Sequence, residues 1–277
     1  MNAPSKRVEM IPAKRRALIL DHLRVNGATS IAELAEAVGG SSSTVRRDLE
    51  HLVEGGYLER THGGALLMSA SQATFEREQA INAQMRRAEK MAIGAEAALR
   101  LSPRESVIFE SSSTVIEAVR AALGRDLALT VVTNSLDIAQ LCAGSSSWRV
   151  IMPGGTVRPG TNFLTGEPGQ SFFGTVHADV CITGAYAVTG AILTDASIEV
   201  ATLKRAMIGA ARRRILLVDS AKFSAPAFAT FCELSAIDEV ITDDGIAADQ
   251  LASLRALHNN VTVVPVRRDA RDRGSAG

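Results

Sequence analysis

Ser41-Ser42-Ser43-Thr44-Val45-Arg46-Arg47-Asp48-Leu49 follows a Gly39-Gly40 pair, and a Gly55-Gly56 pair closes the segment it begins. On a helix, Val45, Leu49 and Leu52 fall on one face, at helical spacing. Ser43 and Arg47 point the opposite way, with Thr44 and His51 on one flank and Arg46 and Glu50 on the other. Ser41 is placed to cap the N-terminus. The reading is a short helix anchored by aliphatic residues, offering hydroxyls and two guanidiniums outward. Such groups reach phosphate oxygens and base edges in a DNA groove.

Upstream, Ser30-Ile31-Ala32-Glu33 reads as a capping box, and Ile31, Leu34 and Val38 form an apolar stripe that Gly39 ends. An earlier helix is predicted from about Pro12 to Val25, with Ile19, Leu20 and Leu23 inward. Downstream, Tyr57-Leu58-Glu59-Arg60 and Ala65-Leu66-Leu67 flank Thr61-His62-Gly63-Gly64, a hairpin with a glycine turn. Three helices and a hairpin make a winged helix-turn-helix, whose third helix enters the major groove while the wing lies along the backbone. The DNA-binding candidates are therefore Ser42, Ser43, Thr44, Arg46 and Arg47, with Arg60 and His62 from the wing. The plainer alternative is a small bundle with Arg46 and Arg47 on a solvated face. Acids (Asp21, Glu33, Glu36, Asp48, Glu50, Glu54, Glu59) are nearly as frequent here as bases. A basic footprint must come from local clustering of Lys14, Arg15, Arg16, Arg46, Arg47 and Arg60.

The chain has 277 residues, 46% of them hydrophobic, and a formal net charge of zero. That suffices for a small domain and a second of roughly 180–200 residues. The neutral balance argues against general coating of nucleic acid but not against a local footprint. Cys142, Cys181 and Cys232 show neither metal-ligand spacing nor a disulfide framework, which fits a reducing cytoplasm. No signal peptide and no membrane-crossing run is read from the sequence, and no metal or cofactor is expected. The expected organisation is residues 1–67 as the DNA-binding domain, 68–88 as a linker and connecting helix, and 89–277 as an α/β domain.

From Ser106 on, short β-branched runs alternate with helical patterns, the mark of a mostly parallel α/β sheet. The runs are Val107–Phe109, Leu129–Val132, Arg149–Met152, Val180–Ile182, Ile215–Val218, Val240–Ile241 and Val261–Val264. Small polar residues follow them: Glu110-Ser111-Ser112-Ser113-Thr114, Thr133-Asn134-Ser135, Gly154-Gly155, Thr183-Gly184, Asp219-Ser220-Ala221-Lys222 and Asp243. Ligands of open α/β sheets bind at the carboxyl ends of strands, so these loops are the candidate site. A phosphate suits the helix that Ser113 and Thr114 open, where backbone N–H groups and the dipole favour an anion. Lys222 would add a positive charge, and Glu110, Asn134 and Asp219 would hydrogen-bond sugar hydroxyls. Ser111, Ser135, Gly154 and Gly155 complete the effector-binding candidates. Helix capping alone explains any one of these loops, Thr114 to Glu117 being itself a capping box.

Ser41-x-x-Thr44-Val45-Arg46-Arg47-Asp48-Leu49, Leu52, Gly56 and Arg60-Thr61-His62-Gly63-Gly64-Ala65 resemble the DeoR family of bacterial transcriptional regulators. Similar to that family's C-terminal domain are Val132-Thr133-Asn134-Ser135-Leu136, Gly154-Gly155, Leu217 to Phe223 and Val240-Ile241-Thr242-Asp243. So is Thr194-Asp195 followed by Glu199, Lys204 and Met207, and the resemblance spans about residues 12 to 265. It implies a repressor of a carbohydrate operon that binds double-stranded operator DNA; because one short recognition helix buries little surface and operators usually present two half-sites, a homodimer or higher homo-oligomer is expected. It also implies a C-terminal domain folded like ribose-5-phosphate isomerase that binds a phosphorylated sugar or polyol. The chain departs from the family pattern at Gly40, where a hydrophobic residue is usual, and at Glu110 and Ser112, where Asp and Gly are common. An isomerase-like enzyme fused to a DNA-binding head is the alternative. Where such isomerases carry Asp-Gly-Ala-Asp, this chain has Thr183-Gly184-Ala185-Tyr186, whose hydroxyls cannot replace carboxylates in acid–base work. The non-enzyme reading is preferred.

Overall fold

An amphipathic helix this short needs partners for its apolar face, and the first part of the chain supplies them. The computed structural model describes residues 12–26, 29–54, 58–61, 64–67, 86–157 and 161–266. Helices α1 (Pro12–Asn26), α2 (Ile31–Ala37) and α3 (Ser42–Glu54) pool Ile19, Leu20, Leu23, Leu34, Val38, Val45, Leu49 and Leu52 in one core. The local signals act as predicted. Ser30 and Glu33 form the capping box of α2, Gly39 turns the chain at φ +62°, and Thr44 N donates to Ser41 Oγ at 3.1 Å. A short β1 (Thr29–Ser30), β2 (Leu58–Thr61) and β3 (Gly64–Leu67) form an antiparallel sheet with β3 central. The β2–β3 hairpin is the predicted wing. The strand β1 was not predicted, because two residues carry no alternation to read.

The chain divides into two compact units, Met1–Met85 and Arg86–Gly277. Of the connecting segment expected at 68–88, residues 68–85 lie outside the described residues, and a helix over Arg87–Ala98 opens the second unit. Its strands are β4 (Ser106–Phe109), β5 (Leu129–Thr133), β6 (Trp148–Ile151), β7 (Thr156–Val157), β8 (Leu164–Thr165), β9 (Ala178–Thr183), β10 (Ala187–Thr189), β11 (Ile192–Asp195), β12 (Ala211–Leu217), β13 (Ala229–Glu233), β14 (Glu239–Asp243) and β15 (Val261–Val264). All seven predicted runs join one parallel sheet, in the order β15-β14-β12-β9-β4-β5-β6.

The runs carry apolar residues towards both faces of the sheet because both faces are covered. Val107, Phe109, Val180, Ile182, Ile215 and Leu217 pack on one side with Ile93, Val115 and Val119. Ile108, Cys181 and Leu216 pack on the other with Ala201, Leu203 and Met207. A smaller antiparallel sheet, β10-β11-β13, and a β7-β8 hairpin are additions that the sequence reading did not contain.

From β4 the chain steps outward through β5 to β6, then returns to the other side of β4 for β9, β12, β14 and β15. The winding therefore reverses between β4 and β9. Loops diverge at such a switch point and leave a crevice beyond the carboxyl ends of the strands.

Candidate functional site

In the first unit the candidate face is α3. Val45, Leu49 and Leu52 are buried, and Ser42, Ser43, Arg46 and Arg47 are exposed. The hydroxyls of Ser43 and Thr44 each lie 2.8 Å from Ser41 Oγ, so the start of the helix is a cluster of hydroxyls beside N–H groups with no intrahelical partner. Asp48 is turned inward, where it pairs with the Arg15 side chain of α1. Glu33 is similarly committed, accepting from the backbone and hydroxyl of Ser30. Asp48 is thus withdrawn from the exposed face together with Arg15, one of the bases expected in the footprint, while Glu33 stays exposed. Arg60 lies in β2 with its side chain outside the description, and His62 lies outside the described residues.

In the second unit the winding reverses at the ends of β4 and β9. β4 runs into Glu110 and Ser111, and Ser112 caps the helix Ser113–Leu123 by accepting from Val115 N at 3.3 Å. Thr114, on that first turn, is buried. Glu110 is buried and turned inward: Oε1 accepts from Ser111 Oγ at 3.1 Å, and Oε2 accepts from Gly184 N at 3.1 Å. Lys204, from the helix Ile198–Gly209, donates to the Gly184 carbonyl at 3.1 Å. Both polar groups of Gly184 are therefore held. A Cβ there would stand 2.6 Å from Ser112 Oγ, so only glycine lets the two loops meet.

The Lys204 ammonium is 2.8 Å from Asp195 and 3.6 Å from Glu110, with the Phe231 ring centroid 5.3 Å away. Burial pushes its pKa down, but the two carboxylates outweigh this and hold it above the usual lysine range. Asp195 also accepts from Ala196 N at 2.8 Å. The cluster is an interior clamp with its hydrogen bonds made, rather than a pair of free acids.

At the end of β5, Asn134 is buried. Its Nδ2 donates to the Leu164 carbonyl at 3.1 Å and to Ser111 Oγ at 3.4 Å. Reversing the amide would set two oxygens against each other at Leu164, so the orientation is determined. Its Oδ1 is buried and has no hydrogen-bond partner among the described residues. Ser135 caps the next helix, accepting from Ile138 N at 3.3 Å. Gly154 and Gly155 follow β6 with φ of +87° and +126°, and a Cβ on Gly155 would lie 2.7 Å from the Thr165 carbonyl. This glycine turn lets the β7–β8 hairpin fold back, and that hairpin carries the Leu164 carbonyl held by Asn134.

Glu110, Ser111 and Asn134 are thus joined directly. Asp219 stands at the end of β12, two strands from β4, or about 10 Å at the usual strand spacing. It accepts from Ala221 N at 3.1 Å and lies 3.4 Å from Arg86 Nη1. Lys222 Nζ lies 5.4 Å from the centroid of the Tyr186 ring. Arg86 carried no signal in the sequence reading, and Lys204 entered it only through the family resemblance. Among the described residues, no group of three or more His, Cys, Asp or Glu is placed to hold a metal ion, and no helix is long and apolar enough to cross a membrane.

Residues 15–71 match the DeoR-like helix-turn-helix domain and residues 85–244 the DeoR C terminal sensor domain. The glycerol-3-phosphate regulon repressor of Escherichia coli (strain K12) is 32% identical over 84% of this chain and 92% of its own length. The HTH-type transcriptional regulator GlpR of Haloferax volcanii is 30% identical over 92% of this chain and 98% of its own. Ribose 5-phosphate isomerase a from Methanocaldococcus jannaschii aligns with 48% of this chain and 53% of its own at 15% identity, with a TM-score of 0.37. That likeness is too loose to carry an argument.

Proposed function

The chain belongs to the DeoR family of transcriptional regulators, and from that premise we propose that it represses a carbohydrate-metabolism operon until a phosphorylated sugar or polyol binds its sensor domain. The observation that carries the ligand reading is the buried Asn134 Oδ1, which lacks a donor among the described residues beside the ends of β4 and β5. A ligand hydroxyl is the donor it suits. The phosphate sits at the N-terminus of the helix Ser113–Leu123, with the hydroxyls of Ser111, Ser113 and Thr114 around it. Ser135, Gly154 and Gly155 border the sugar, Asp219 accepts a second hydroxyl, and Lys222 contributes positive charge. Glu110 acts from behind, orienting Ser111 and Gly184. The name of the Escherichia coli relative favours a small phosphorylated polyol.

Operator DNA is read by Ser42, Ser43, Thr44, Arg46 and Arg47, with Arg60 and His62 on the adjoining backbone. Two or more copies act together in the cytoplasm, because specific operators usually engage two half-sites about one helical turn apart. The regulator reading is favoured over an isomerase because Glu110 and Asp195 share Lys204 in the interior, which leaves neither as a free base.

A thermal-shift screen of the purified chain against phosphorylated sugars and polyols, glycerol 3-phosphate among them, tests the ligand class. A true effector at a hundred times its dissociation constant adds about 2.7 kcal/mol, and Asn134→Leu abolishes the shift. Stabilisation that survives Asn134→Leu unchanged would move the ligand elsewhere.

A further inference from the structure

Arg86 is the first residue of the second unit and the last before its opening helix. Its backbone is left-handed, with φ at 51°, a region that non-glycine residues seldom occupy. Its guanidinium crosses to the carboxyl end of β12, donating to Ser220 Oγ at 3.1 Å and lying 3.4 Å from Asp219 Oδ1. The Arg86 side chain is 30% exposed and that of Asp219 only 2%. Ser220 is itself fixed, its N and Oγ donating to Asp243 at 2.6 and 2.8 Å.

The helix that follows is held along its length. Gly94 abuts the backbone of Glu117 and Ala118 so closely that a Cβ would lie 2.6 Å from each. At the far end, Arg100 Nε donates to Glu239 at 2.9 Å, where β14 begins. The helix therefore runs antiparallel to the strands, with its N-terminus at the ligand end. Chain arriving from the DNA-binding unit enters the sensor domain beside the proposed site. Because the helix is pinned at its middle and its far end, residue 86 is the point among the described residues where a change at that site meets the preceding segment.

We propose that Arg86 is a positioning residue of the effector site and the residue through which that site acts on the segment leading to the DNA-binding unit. This rests on the reading of Asp219 as part of the effector site. Without ligand, the Arg86 contacts to Asp219 and Ser220 hold the left-handed turn, and this latched state binds operator. A ligand hydroxyl donated to Asp219 competes with the guanidinium and removes the latch. A ligand shifts such an equilibrium only through its differential affinity for the two states, and this competition supplies the difference.

The test needs no effector. Operator affinity of the full chain is measured by anisotropy on a duplex selected from random sequences by the wild-type protein. The variants are Arg86→Ala, Asp219→Ala, their double, and Arg86→Gly, which keeps the left-handed backbone without the guanidinium. Each single variant should weaken operator binding by about fivefold or more, the scale of a typical allosteric coupling. The double should be no weaker than either single, because both remove one interaction. Arg86→Gly should behave like Arg86→Ala. Additive losses, affinities within twofold of wild type, or normal binding by Arg86→Gly would each overturn the proposal. If Arg86→Ala melts early, Arg86→Gly carries the comparison alone. The thermal-shift screen for the effector involves no DNA, so failure of the latch and failure of the proposed site are told apart.

Discussion

Gly40 stands where the family usually has a hydrophobic residue, and its surroundings explain why both are tolerated. A Cβ there would meet Val38, Arg15 and Val45 at 3.5 to 4.0 Å, ordinary contact distances, and its φ is not left-handed. Gly40→Ala should therefore stabilise the chain by about 0.4–1 kcal/mol, by restricting the unfolded state. Urea denaturation measures this, and a loss of stability would mean that the turn needs glycine's freedom after all. Arg47 makes a second residue-scale case. Exposed on α3 and opposite the buried Val45 and Leu49, it should cost about 1–3 kcal/mol of specific operator affinity when replaced by alanine, if it reads a base. Anisotropy titrations across a salt series separate the possibilities. A uniform loss with a shallower salt slope identifies a phosphate contact instead, and unchanged affinity removes Arg47 from the interface.

Among elements, the helices Arg87–Ala98 and Ser113–Leu123 make a close backbone contact. Glycine at position 94 lets the first lie on the backbone of the second. Gly94→Ala would gain helix propensity of up to about 1 kcal/mol, but its methyl meets backbone atoms that cannot swing aside. Overpacking of this kind costs about 1–3 kcal/mol, so the net effect should be destabilising. A lower melting temperature with unchanged secondary structure by circular dichroism is the expected result, and a higher one would show that the helices can separate freely. The second of these helices opens at the proposed phosphate position, so effector affinity should fall in the same variant. The α3 helix is locked by other means. Arg15 and Asp48 form a buried ion pair between α1 and α3, which sets the angle at which Arg46 and Arg47 are offered.

For the whole molecule, the prediction is self-association. One short recognition helix covers little DNA, whereas specific protein–DNA interfaces bury about 1,000–2,500 Å² of protein surface. Light scattering at micromolar concentration should give at least a dimer, and a monomer both with and without operator would count against paired half-sites. Phe228 and Ile198 are exposed on the second unit, at 78% and 57%, and make natural first positions for charged substitutions aimed at dissociating it.

The amino-acid sequence by itself determined what local chemistry can determine. Ser41, Ser30 with Glu33, and Gly39 set helix ends through hydrogen bonds to near neighbours. The spacing of Val45, Leu49 and Leu52 set an inward face, and seven apolar runs became the seven strands of the parallel sheet. Tertiary structure alone decided strand order, the additional β10-β11-β13 sheet, and the duty of each charge. Asp48 counts against a basic face until Arg15, 33 residues away, draws it inward. Glu110 reads in the sequence as a ligand for sugar hydroxyls, and only the fold sets Lys204 and Gly184 against it. Arg86 looks like any linker arginine until β12 delivers Asp219 beside it. The physical reason is the same in each case. Periodicity and capping act within a few residues, whereas a buried charge takes its meaning from a partner through space, and the winding of the sheet chooses that partner.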